Sequence, residues 1–110
     1  MFLGVAFGAF AAHGLRGRVS AEMLVIFETG VRYQMYHSLA LLAVAFFVDR
    51  GRMFYYAGVF YIVGIILFSF SLYALALTGI DGLGVITPIG GVSFLAGHFS
   101  LLLGFLRYRS

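Results

Sequence analysis

The stretch Met53–Thr78, MFYYAGVFYIVGIILFSFSLYALALT, runs for 26 residues without a charged side chain. A helix needs about 20 mostly apolar residues to cross the hydrocarbon core of a bilayer, so this run reads as a membrane span. Its edges have local causes. Asp49-Arg50-Gly51-Arg52 is a charged turn on one side, and Thr78-Gly79-Ile80-Asp81-Gly82 supplies helix-stopping glycine and aspartate on the other.

Working outward, similar uncharged runs occupy residues 33–48 and 83–106, and another begins the chain at 1–15. The reading is an all-α, four-helix membrane bundle in which residues 1–110 form one transmembrane domain. The first run is the short one. At 1.5 Å per residue its length is about 22 Å against a core about 30 Å thick, so this helix is expected either to continue before Met1 or to start inside the bilayer.

Composition excludes the soluble alternatives. The chain is 63% hydrophobic and 10% charged, whereas soluble domains carry about 45–50% apolar and about 25% charged residues. A chain of 110 residues cannot bury that much apolar surface in its own interior, so the remainder faces lipid. There is no cysteine, which rules out disulfides and thiolate chemistry. The net charge of +3 comes from arginines placed between the apolar runs. That placement is a topology signal and not a nucleic-acid-binding stripe. Ala9-Phe10-Ala11 has the small residues of a signal-peptide cleavage site, but no basic segment precedes it.

Between the first two runs, Arg16–Arg32 mixes charge with Met23, Leu24, Val25, Ile26 and Phe27. A short interfacial helix is expected there, capped by Ser20 with Glu22 in its first turn, leading into the second span with a bend at Gly30. Arg50, Arg52, Arg107 and Arg109 fall on one side of a four-span topology and Arg16, Arg18 and Arg32 on the other. The positive-inside bias then puts both termini in the cytoplasm, in an inner or plasma membrane.

The candidate functional residues are polar groups inside or beside these runs. On a helix, Glu28, Arg32 and Tyr36 share one stripe, and Tyr33 and His37 share the next. An arginine and a glutamate at a membrane boundary either pair and lock the loop to the bundle or serve a function. Ser69 and Tyr73 share a face while Ser71 looks elsewhere, so these hydroxyls either line a path or bond their own backbone. His98 sits midway along the last run and is expected to meet a partner inside the bundle. His13 and His37 fall near the ends of the expected spans. No two histidines stand at a metal-binding interval, so neither metal nor cofactor is expected.

Small residues recur every fourth position, at Gly4, Gly8 and Ala12, at Ser93 and Gly97, and at Ser100 and Gly104. They predict close helix packing, in a tight bundle or a homo-oligomer. Thr87-Pro88-Ile89-Gly90-Gly91 predicts a kink or a half-helix entry. No nucleophile, base and orienting group can be placed together, so an enzyme is not expected.

Four motifs in order carry a resemblance: Gly8-Ala9-Phe10-Ala11-Ala12-His13-Gly14-Leu15; Phe27-Glu28-Thr29 with Val31-Arg32-Tyr33-Gln34 and Tyr36-His37; Phe68-Ser69 with Ser71-Leu72-Tyr73; and Thr87-Pro88-Ile89-Gly90-Gly91. Across nearly its whole length the chain resembles the YgdD/YwdK-like family of small membrane proteins of unknown function. The resemblance implies four membrane helices and no assigned activity. It also implies departures, since Phe70 stands where that family pattern has glycine and His98 where it has tryptophan.

Two functions compete on this reading. One is a structural or accessory membrane component that packs on a larger protein partner or on itself through its small-residue faces and the Glu28 and Arg32 anchor. The other is a small transporter or channel with Arg32, Tyr33, His37, Ser69, Ser71 and His98 along a path. Small multidrug transporters depend on an acidic residue in the first span, and Met1 to Leu15 contains none.

Overall fold

The computed structural model describes residues 1–108, so Arg109, counted in the charge bias, lies outside the described residues. Among these residues the regular structure is helical. Helix α1 (Phe2–Phe10) closes in a π-helical turn, Ala11–Leu15. Helix α2 (Ala21–Phe47) ends in a 3-10 turn, Val48–Arg50. Helix α3 (Arg52–Gly64), a π-helical turn (Ile65–Ser69) and α4 (Phe70–Thr78) follow one another without a break. A second 3-10 turn, Asp81–Val85, leads into α5 (Ile86–Tyr108).

Among the described residues three helical stretches are long and apolar enough to cross a membrane, at Ala21–Arg50, Arg52–Thr78 and Asp81–Tyr108, while Phe2–Leu15 is shorter. The molecule measures 54 × 26 × 14 Å. So thin a body leaves large apolar side chains such as Phe46, Val92, Leu95, Phe99 and Leu102 facing outward, which is unfavourable in water and matches hydrocarbon.

The helix ends follow local chemistry. Ser20 Oγ accepts a hydrogen bond from the Met23 amide at 3.1 Å, with Glu22 in the first turn, as the sequence predicts. The amphipathic run after Ser20 is not a separate short helix. It continues through Gly30 without a break as the first turns of α2. Gly79 ends α4 with φ +72°, in the left-handed region, and donates its amide to the Leu75 carbonyl at 2.7 Å. Pro88 does not kink α5, because it lies in that helix's first turn, where the missing N–H has no intrahelical acceptor to lose.

The buried face of α2 is a seam of Phe27, Gly30, Gln34, His37 and Val44, with Leu41 half-buried between the last two. These positions alternate three and four apart, the spacing that keeps one stripe facing a crossing neighbour. On α5 the matching seam is Gly90, Ser93, Gly97, Ser100 and Gly104.

Large rings from α3 fill that small-residue seam. A Cβ added at Gly97 would stand 2.7 Å from the Tyr61 ring, and one at Gly104 would stand 2.9 Å from Phe54. The close packing predicted for these residues is therefore satisfied within the chain, by α3.

The third helical stretch changes partner partway along. Its α3 half packs chiefly on α5, and its α4 half packs on α2. The π-helical turn Ile65–Ser69 lies between the two halves. Two apolar clusters result. One joins Ala11, Leu15, Phe27, Tyr73 and Ala76, and the other joins Val44, Ala57, Tyr61 and Phe94.

Candidate functional site

The polar residues singled out in the sequence divide by which side of α2 they occupy. Glu28, Arg32 and Tyr36 do share one stripe, and it faces outward. Arg32 makes no ion pair with Glu28; its Nη2 donates to Thr29 Oγ1 at 3.2 Å, and Thr29 Oγ1 donates to the Val25 carbonyl at 2.8 Å. The expected lock of the first loop onto the bundle is absent because both side chains extend away from the helix contacts.

The inward residues form two cross-helix groups. In the first, Tyr73 of α4 donates its hydroxyl to Gln34 Oε1 of α2 at 2.5 Å, both residues being buried. Gln34 was not among the candidates, although a lone amide on an apolar helix, in register with Phe27, Gly30 and His37, is the signal that marks it. Gly30, one turn away, admits the Tyr73 ring and the Ser69 carbonyl, which would stand 2.7 Å and 3.0 Å from a Cβ there.

The second group joins three helices. His37 is 5% exposed and lies near the middle of the stretch Ala21–Arg50, not at a span end, because α2 begins well before residue 33. Its Nδ1 is 2.7 Å from the Tyr33 carbonyl, its Nε2 is 3.1 Å from His98 Nε2, and His98 Nδ1 is 2.7 Å from the Tyr61 hydroxyl. His98 thus meets the expected partner across the bundle, while one side of it remains exposed. His13 stands apart, bonded to the Ala9 carbonyl at 3.1 Å.

Proton placement in this chain follows from donor and acceptor inventory. A carbonyl only accepts, so His37 Nδ1 carries a hydrogen, and neutral His37 presents a bare Nε2. His98 Nε2 must then donate to it, which leaves His98 Nδ1 bare to accept from the Tyr61 hydroxyl. Every contact is satisfied in one direction only, from Tyr61 through His98 and His37 to the Tyr33 carbonyl. These positions are assigned from the bonding pattern.

Aromatic rings close over the pair. Phe94 stacks on His37, Tyr33 lies against Phe68 with ring centroids 4.6 Å apart, and the Tyr61 ring is fully buried. Among the described residues no three ligand-type side chains converge on one point as a metal site would need.

The serines take separate roles. Ser71 Oγ lies 2.6 Å from Thr87 Oγ1 and donates to the Phe68 carbonyl at 2.8 Å, tying α4 to α5. Ser93 donates to the Phe60 carbonyl at 2.7 Å, tying α5 to α3. Ser69, fully buried at the end of the π-helical turn, has no hydrogen-bond partner for its hydroxyl among the described residues.

Apolar outside, knitted inside by hydroxyl, amide and imidazole contacts, this bundle is a small multi-pass membrane protein embedded in the lipid bilayer. The chain belongs to the family described as Protein of unknown function (DUF423), which it matches over residues 7–91. It is 44% identical to the UPF0382 membrane protein YwdK of Bacillus subtilis (strain 168), covering 96% of this chain and 89% of that protein. It is 43% identical to the UPF0382 inner membrane protein YgdD of Escherichia coli (strain K12), covering 98% and 84%. A UPF0382 membrane protein of Haemophilus influenzae is 46% identical over 99% and 89%. These matches agree with the resemblance carried by the sequence motifs. No solved structure matches the chain.

Proposed function

We propose that this protein is a structural or accessory component of the inner or plasma membrane, not an enzyme, with both termini in the cytoplasm. The observation that carries the reading is Phe94 lying flat on His37. The inward polar groups are overlaid by rings and bonded to one another across helices, so they hold helices in register and line no open route.

The outward stripe of Glu28, Arg32 and Tyr36 is the part of the molecule most suited to a larger membrane partner. Polar side chains on a lipid-facing helix surface are costly unless they reach headgroups or another protein. The small residues of α5 do not serve this purpose, since α3 covers them.

The experiment is native mass spectrometry of the protein extracted from its own membrane into lipid nanodiscs. A reproducible larger partner lost on Arg32→Ala supports the reading. A protein that stays single, or a lone homo-oligomer that retains a specific ion or small molecule, overturns it.

The transporter or channel reading has one observation in its favour, the Tyr61, His98 and His37 chain near the middle of the bundle. It requires Phe94 to move off His37. Ion or solute flux through reconstituted vesicles, abolished by His37→Gln with the fold intact, would establish it in place of the accessory role.

A further inference from the structure

We propose that His37 and His98 together form a binding site for a single proton, held between their two Nε2 atoms. Both rings are anchored at their outer ends and meet at their inner ones. Their Nε2 atoms face each other at 3.1 Å, while the outer nitrogens are each tied to an oxygen, His37 Nδ1 to the Tyr33 carbonyl and His98 Nδ1 to the Tyr61 hydroxyl.

In the neutral state Tyr61 donates to His98, as derived above. Add one proton from the aqueous phase to His98 Nδ1, forming one N–H bond and one positive charge. The Tyr61 oxygen, which has lone pairs as well as a hydrogen, then turns from donor to acceptor. His98 becomes an imidazolium with both N–H groups bonded, one to Tyr61 and one to His37 Nε2. Moving the central proton across to His37 gives an equivalent arrangement, with His37 donating to the Tyr33 carbonyl and to His98. In either form every N–H of the two rings keeps an acceptor, and such charge-assisted bonds are the stronger kind.

A second proton has no such place. It would set two N–H groups against each other across the 3.1 Å gap, so the capacity of the site is one.

The surroundings agree with a site confined to these rings. From α2 the groups facing the pair are Tyr33 and Phe94-covered His37 itself, from α3 Tyr61, and from α5 Phe94 and His98. The four carboxylates, Glu22, Glu28, Asp49 and Asp81, and the arginines 16, 18, 32, 50, 52 and 107 are all on exposed positions. Among the described residues no charged side chain lies against the pair.

The test is nitrogen-15 NMR of histidine-labelled protein in lipid nanodiscs, titrated from about pH 8 to about pH 5, the range in which imidazoles ordinarily change charge. The expected result at the alkaline end is His37 protonated on Nδ1 and His98 on Nε2. On acidification both rings should change at one common midpoint with a total uptake of one proton, and His37→Gln should abolish the shared transition. Tyr61→Phe, which removes the anchoring oxygen, should weaken proton binding about tenfold, the effect of one hydrogen bond to a charged group. Two independent uptakes, no uptake over the range, the opposite neutral tautomers, or a metal ion retained between the rings would each overturn the proposal. The tautomers and proton count are read on the wild-type protein, so the outcome does not depend on a variant folding.

Discussion

Phe94 of α5 lies parallel to His37 of α2, with ring centroids 3.6 Å apart and an 8° angle between planes. The same ring fills the notch at Gly64 of α3, so one side chain touches three helices. Held between His37 and Gly64, the ring has little room to yield to added volume. Gly64→Ala is therefore expected to destabilise the bundle by about 1–3 kcal/mol, the usual cost of overpacking. Combining it with Phe94→Leu should recover part of that loss. Reversible unfolding in mixed micelles measures both.

Gly90 and Gly91 are adjacent on α5 and differ in what they face. A Cβ at Gly90 would collide with the main chain at Leu67 and Phe68, whereas one at Gly91 would rest 3.9 Å from the Phe68 ring. Main chain in a helix has little freedom to withdraw. Gly90→Ala should cost several-fold more stability than Gly91→Ala, and equal effects in a thermal-shift comparison would show that the backbones of the π-helical turn Ile65–Ser69 and of α5 are farther apart than described.

Tyr73→Phe removes the donor to Gln34 and leaves the amide oxygen unpaired in the bundle. Interhelical hydrogen bonds in membranes average about 0.6 kcal/mol with a maximum near 1.7 kcal/mol, so a loss of about 1 kcal/mol is expected. Tyr73→Phe combined with Gln34→Leu removes both partners and should cost less than the two single changes added together. An additive pair would mean the contact does not form in the membrane.

Ser69 supplies the opposite case. Its hydroxyl is fully buried and unbonded, so Ser69→Ala deletes an unsatisfied group and should be neutral or stabilising by up to about 1 kcal/mol. Ser71→Ala and Ser93→Ala each break a bond between helices and should destabilise. If Ser69→Ala proves the most damaging of the three, that hydroxyl has a partner that the static structure does not contain.

Arg32→Gln should leave stability within about 0.5 kcal/mol, because the side chain is exposed and bonds only to Thr29 on its own helix. A larger loss in nanodiscs than in detergent would assign it to lipid headgroups.

Much of the fold was legible because it rests on local chemistry. The uncharged runs, the Ser20 cap, the Gly79 stop and the small-residue seam of α5 all depend on near neighbours in sequence. The common stripe of Glu28, Arg32 and Tyr36 was legible too, but not its direction, because periodicity reports which residues share a face and not what that face meets. Gln34 with Tyr73, and His37 with His98 and Tyr61, join residues far apart in the chain, and only the packing of α2, the third helical stretch and α5 on one another brings them together. Pro88 misled because proline ends helices and also begins them, and the difference lies in a turn boundary two residues away. The π-helical turn at Ile65–Ser69 left no mark, since its residues are as apolar as an ordinary helix interior.

That turn gives the third helical stretch a spare residue. In an unbroken α-helix each added residue rotates everything beyond it by about 100°, whereas the widened π-helical turn at Ile65–Ser69 takes up one extra residue and keeps Tyr61 against Gly97 and Tyr73 against Gln34. Deleting a single residue between Ile65 and Ser69 should therefore restore plain α-helix and leave both faces aligned, while deleting a second should swing Tyr73 away from Gln34 and uncouple the chain's two ends. Reading frame matters within this helix as it does between strands of a sheet, but with a tolerance of one.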